Sequence, residues 1–122
     1  MNIKELLWVS QSKKDLEKLP EEIIDKFGYE LYLAQCGQIP DSAKVLKGFG
    51  GASVLEIIDS DSAGTYRAVY TVKMADFVYV LHVFQKKSKQ GIKTPQADID
   101  LIHKRLKMAE EDYKERLKNE KK

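Results

Sequence analysis

Apolar and polar positions along the chain change rhythm several times, and each change marks an element. Residues 4–9 (KELLWV) are a short apolar run with a large aromatic and predict a first strand. Ser10 and Ser12 offer helix N-caps, and Asp15 follows Ser12 at capping-box spacing. That predicts a short helix through Lys18, broken by Pro20. Pro20 with Glu21 and Glu22 is in turn a good first turn for a second helix. There Ile24, Phe27, Leu31 and Ala34 recur at helical spacing, and Gly37 is placed to stop it. The pair makes a helical hairpin with one apolar stripe.

Residues 39–51 read as loop, punctuated by Pro40, Gly48, Gly50 and Gly51. Three strands follow at residues 54–58 (VLEII), 66–72 (YRAVYTV) and 77–84 (FVYVLHVF), and the turns DSDSAG and KMAD join them into a meander. A last helix starts at Thr94-Pro95 and carries Ile99, Ile102, Leu106, Ala109, Tyr113 and Leu117 on one stripe. From about residue 114 to 122 it is mostly charged, and fraying is expected there. This order predicts a single α+β domain over residues 1–122, with a mainly antiparallel sheet.

Charge changes the picture only locally. A formal net charge of +2 on 122 residues does not mark a nucleic-acid binder. Between Leu46 and Lys93, however, Lys47, Arg67, Lys73, Lys86, Lys87, Lys89 and Lys93 face only Glu56, Asp59, Asp61 and Asp76. The middle of the chain is cationic and its ends compensate. A single cysteine, Cys36, permits no intrachain disulfide and fits a reducing cytosol, with packing rather than nucleophilic chemistry as its role. No run approaches the length of a membrane span, so a soluble, cytoplasmic protein without membrane contact is expected.

Several motifs dissolve on inspection. Asp59, Asp61 and Gly64 match the first, third and sixth places of a calcium loop, but Tyr70 stands where a bidentate Glu is needed. A hairpin turn is the better reading. The run Lys47-Gly48-Phe49-Gly50-Gly51 lacks the Gly-Lys-Ser/Thr of a phosphate-binding loop. The two histidines, His82 and His103, support neither a catalytic triad nor a metal cluster; His82 inside VYVLHVF reads first as a core histidine, His103 as an exposed one. Arg67 is the residue to single out. Alternation puts it with Val69 and Thr71 on one strand face, where a guanidinium needs either a partner, such as Glu56, or an open face. Both readings stand at this point.

Taken together, VLKGFGG, LEI, TYRAVYTV and FVYVLHVFQKKSKQGIKTPQADIDLIHKRL resemble the phage-derived, HigB-like branch of the RelE/ParE toxin superfamily, from KELLWV to about Lys107. The resemblance implies a RelE-like twisted antiparallel sheet with an N-terminal helical hairpin and a C-terminal helix. It also implies the toxin of a type II toxin-antitoxin system: a metal-independent endoribonuclease without cofactor that cuts mRNA on the ribosome and is held inactive by a helix-turn-helix antitoxin. Under it Arg67 matches the arginine at the scissile phosphate, Lys47 approximates a lysine ahead of the sheet, and Lys86 and Lys87 match basic residues ending the last strand. Lys89, Lys93 and Lys73 join as RNA-binding residues, and His82 takes at most a minor role. SKQGIKTP lacks the aromatic or histidine acid-base residue that several RelE-like enzymes keep there, so the resemblance leaves proton transfer unassigned. Crowded lysines such as Lys47 or Lys86 could fill that role, because like charges lower one another's pKa. A non-catalytic ParE-like gyrase inhibitor and a simple nucleic-acid-binding module are the alternatives.

Overall fold

The computed structural model describes residues 2–51, 53–86 and 94–120. Five strands form one sheet in the order β1-β5-β4-β3-β2, with β1 at Glu5–Trp8, β2 at Ala43–Val45, β3 at Val54–Asp61, β4 at Gly64–Thr71 and β5 at Phe77–Lys86. Helices α1 (Ser12–Glu17) and α2 (Glu21–Gln35) cover one face; α3 (Gln96–Glu120) covers the other. The fold is α+β, as expected.

Strand alternation divides the core in two. Leu55, Ile57, Ala68, Tyr70, Val78, Val80 and Val83 point to Leu16, Ile23, Phe27, Leu31 and Ala34 of the helical pair. Val54, Val69, Tyr79 and Leu81 point to Ile102 and Ala109 of α3. Each fully buried side chain of this size contributes about 1.5–3 kcal/mol, so both helical layers are held mainly by their apolar stripes. Helix α2 ends where Gly37 predicts: at φ +85° it donates to Ala34 O while Gln38 donates to Leu33 O, the paired bonds of a Schellman stop.

Local details depart from the expectation. The chain forms an edge strand, β2, inside the segment read as loop, because three residues pair antiparallel with Leu55–Ile57 of β3. β1 runs parallel to β5 while the other three strand pairs are antiparallel, so the sheet is mixed and, as expected, mainly antiparallel. Neither Ser10 nor Ser12 caps α1; Gln11 holds the N-cap position, and the buried Ser12 hydroxyl donates to Val80 O at 3.1 Å instead, tying the helix to the sheet. α3 is helical to Glu120. Arg116 donates to Asp112 one turn back and lies over the Phe77 ring, which anchors that turn.

The turn of the β3–β4 hairpin is tight. Asp61 Oδ1 accepts from the backbone N–H of Ala63 and Gly64 at 2.8 and 3.1 Å, so this carboxylate serves the turn. No helix among the described residues is long and apolar enough to cross a membrane.

Candidate active site

Glu56 sits in the middle of β3, flanked by apolar residues, with its side chain on the α3 face. A carboxylate there is tolerable only with a partner, since burying an ion costs several kcal/mol after relaxation. β3 and β4 pair Glu56 with Val69 and Ile58 with Arg67, which makes Glu56 and Arg67 diagonal neighbours on one face. Arg67 Nη1 donates to Glu56 Oε1 at 2.8 Å, and the two residues are 2% and 1% exposed. Thr94, just before α3, donates to Glu56 Oε2 at 2.7 Å and accepts from Arg67 Nη1 at 3.4 Å. The face that alternation assigned to Arg67 is correct. It is not open, however: the start of α3 lies over it, and the Glu56 pairing is the one realised.

Lys86 ends β5 opposite Thr65, on the same face, and is 8% exposed. Burial first, then the charge of Arg67, push its ammonium below the ordinary lysine value; Lys44 adds to the effect and Glu56 opposes it. Lys44, opposite Glu56 on β2, is a basic neighbour that sequence reasoning missed because its strand was missed. Lys47 stands exposed in the turn after β2, and no ion pair among the described residues joins it to this group. Lys73 lies beyond the other end of β4, roughly 20 Å along the strand direction from Arg67, and pairs with Glu110 of α3. The structure therefore separates Lys73 from the Arg67–Lys86 group. Lys87, Lys89 and Lys93 lie outside the described residues.

A second polar group abuts the first. The register of β4 and β5 shifts between Val69 and Tyr70, which pair with His82 and Val80. Leu81 is the extra residue of a bulge, and such a bulge re-aims a side chain; here His82 turns with Leu81 toward α3. His82 Nε2 meets Asp98 Oδ1 at 2.8 Å, and Arg105, which can only donate, reaches Nδ1 at 3.4 Å and Leu81 O at 3.0 Å. That arrangement assigns the ring proton to Nε2. Burial pushes the imidazole below its usual value although the Asp98 bond and charge pull it up. His82 also stacks on Phe84, the residue opposite Arg67. It is the satisfied core histidine of the sequence reading. His103 is exposed, as expected, and stacks on Phe49 at 4.1 Å between ring centres.

The first turn of α3 is thus fastened to the sheet twice, through Thr94 on Glu56 and Asp98 on His82. What this places together is a guanidinium, a carboxylate and an ammonium with weakened hold on its proton. Such a set can stabilise charge on a phosphate oxygen and exchange a proton. Among the described residues no group of His, Cys, Asp and Glu could hold a metal ion.

Comparisons with known proteins agree with this architecture. The family described as "Phage derived protein Gp49-like" matches residues 14–107. A solved structure of the E. coli toxin RelE in the free state, with two arginines replaced by alanine, aligns with a TM-score of 0.57 over 88% of this chain and 98% of that one, at 17% identity. The toxin-antitoxin complex RelBE2 of Mycobacterium tuberculosis aligns at 0.48 over 72% of this chain and 97% of that one, at 22% identity. No curated protein sequence matches the chain.

Proposed function

Since the chain belongs to the phage-derived Gp49-like family and folds as a RelE-type domain, we propose that it is the toxin of a type II toxin-antitoxin system, a HigB-like endoribonuclease that cuts mRNA on the ribosome. The observation that carries this reading is the meeting of Arg67 and Lys86, whose pKa lies below the ordinary lysine value, on one sheet face, where β5 runs out into the lysine-rich segment. RNA brings its own nucleophile, the 2′-hydroxyl beside the scissile phosphate. The protein has only to align it, neutralise developing charge and move protons. Lys86 is the proton-transfer residue in this scheme. Arg67 adds positive charge behind it and favours its neutral form; Lys44 and Lys47 extend the basic rim, and Lys87, Lys89 and Lys93, which follow Lys86 in the sequence, are RNA-binding residues in this reading. A cognate helix-turn-helix antitoxin is the partner, and the cytoplasm the setting. The ribosome supplies the substrate positioning that a site without a histidine base requires.

Expression of the chain alone should arrest growth and translation, and purified protein should cut ribosome-bound mRNA but free RNA poorly. Replacing the 2′-hydroxyl at the cut site by hydrogen should stop cleavage. Normal growth under verified soluble expression would overturn the toxin reading. The burial of Arg67 favours a second reading, a domain that binds nucleic acid, or gyrase, without cutting. Salt-dependent RNA binding with no cleavage on ribosomes would select it.

A further inference from the structure

On the α2 side of the sheet, away from Arg67, α2 and the segment leading into β2 enclose a cleft of about 430 Å³. Lys26, Tyr29, Glu30, Leu33, Ile39 and Ser42 are among its walls. Glu30 is the unusual one, a helix carboxyl only 9% exposed. Burial, and then the hydrogen bond and charge of Asp59 from β3, push it up to about 8, against the pull of Lys26; Tyr70 of β4 also faces it. The nearby Asp59 carboxyl disfavours the ionised form of Glu30. Across the cleft, Ser42 Oγ has no hydrogen-bond partner among the described residues. At the mouth, Tyr29 and Ile39 are 63% and 71% exposed, and Tyr32 is exposed one turn along α2 from Tyr29.

We propose that this cleft takes a lysine or arginine side chain presented by a partner polypeptide, with the cationic head on the Glu30 carboxyl of its wall, behind which Asp59 stands. The walls fit that guest. Tyr29, Leu33 and Ile39 offer aromatic and apolar surface to its methylene stem, and a tyrosine face attracts the cation itself. The volume lies within the range of formed ligand sites and exceeds what one side chain fills, so flanking backbone enters too. Exposed tyrosines around a recess are the composition of a protein-protein contact. Phosphate would meet the Glu30 carboxyl here, with Asp59 behind it, which argues against RNA as the occupant. Seating the cation favours ionised Glu30, so one proton leaves as the guest binds. The inference does not depend on RNA cleavage.

The test is an NMR titration of the whole chain with N-acetyl-arginine amide, with N-acetyl-norleucine amide as the neutral probe and adenosine monophosphate as the anion. The arginine probe alone should give saturable shifts at Tyr29, Glu30, Leu33 and Ile39, tighter at about pH 9 than at about pH 6. In Glu30→Gln its affinity should fall about tenfold or more and the pH dependence should flatten; Asp59→Asn should also weaken it. Equal binding of the norleucine probe, or unchanged binding in both variants, would overturn the proposal. Binding of the nucleotide at these residues would make this an anion site, and shifts that track protein concentration without probe would make a second copy the occupant; either result overturns it.

Discussion

Replacing Arg67 by Met removes the guanidinium bonded to Glu56 and leaves a carboxylate 1% exposed, with the Thr94 hydroxyl as hydrogen-bond donor and the Lys86 charge nearby. Glu56→Leu does the converse, removing the carboxylate to which Arg67 donates. Breaking a buried pair from one side costs about 3–5 kcal/mol, because the surviving charge stays desolvated. For a chain of this length each kcal/mol moves Tm by about 3–5 °C, so each single variant should melt on the order of 10–20 °C below the parent. Independent losses would sum to about 6–10 kcal/mol in a double variant. The double variant Arg67→Met/Glu56→Leu removes both charges together and should lie within about 2 kcal/mol of the parent, the orphaned Thr94 hydroxyl accounting for about 1 of these. Thermal and urea unfolding of all four proteins measures the cycle. Ribosomal mRNA cleavage by the folded fractions separates structure from chemistry: the double variant should fold yet cut about a hundred- to a thousandfold more slowly. Additive single losses would refute the coupling, and parental cleavage by the folded double variant would remove Arg67 from the site.

Other expectations follow from the same electrostatics. Lys86→Arg keeps the charge but cannot release a proton in the working range, so RNA binding should persist while the rise of cleavage with pH disappears and the rate falls about a hundredfold or more; an unchanged pH-rate profile would exclude Lys86 as the proton-transfer residue. Because burial lowers the His82 pKa, the unfolded chain takes up that proton first, and stability should be full above pH ~6.5 and decline as pH falls through that value. His82→Gln should flatten this slope in pH-dependent unfolding. Glu30 behaves oppositely: its folded value of about 8 exceeds the unfolded one, so its contribution should be lost as pH rises from about 4.5 to about 8. Glu30→Gln should therefore stabilise the protein by about 1–3 kcal/mol at pH 7, and a variant that melts at or below the parent would contradict the carboxyl pairing.

What the sequence discloses about this fold depends on how local the cause is. Gly37, Pro20 and the stripe of Phe27, Leu31 and Ala34 act within one helix, and α2 has the start and stop they predict. The β3–β5 meander follows from alternation and short turns. β2 is three residues long, and its pairing with Leu55–Ile57 is invisible to any pattern of its own. The parallel direction of β1 likewise depends on a partner far along the chain. At the candidate site, alternation places Arg67 on the face of Val69 and Thr71, with Glu56 of the neighbouring strand as one partner on offer. Whether that face was open depended on where α3 docks, which no local pattern encodes. The missed Lys44 and the outlying Lys73 are the same lesson: proximity across a sheet is set by register and strand direction. Cationic composition does not set it. The Leu81 bulge that turns His82 toward Asp98 leaves no trace in VYVLHVF, since an extra residue looks like ordinary apolar continuation.

The parallel seam between β1 and β5 also orders events during synthesis. Glu5–Trp8 emerges first, yet its hydrogen-bonding partners begin at Phe77, about seventy residues later. At elongation rates of about 5–20 residues per second, that edge waits several seconds for its neighbour. Lys86, at the far end of β5, is made later still, so no nascent chain carries both a closed sheet and the Arg67–Lys86 group until β5 has been made. A protein proposed to act on translating ribosomes is thereby kept incomplete on the ribosome that makes it.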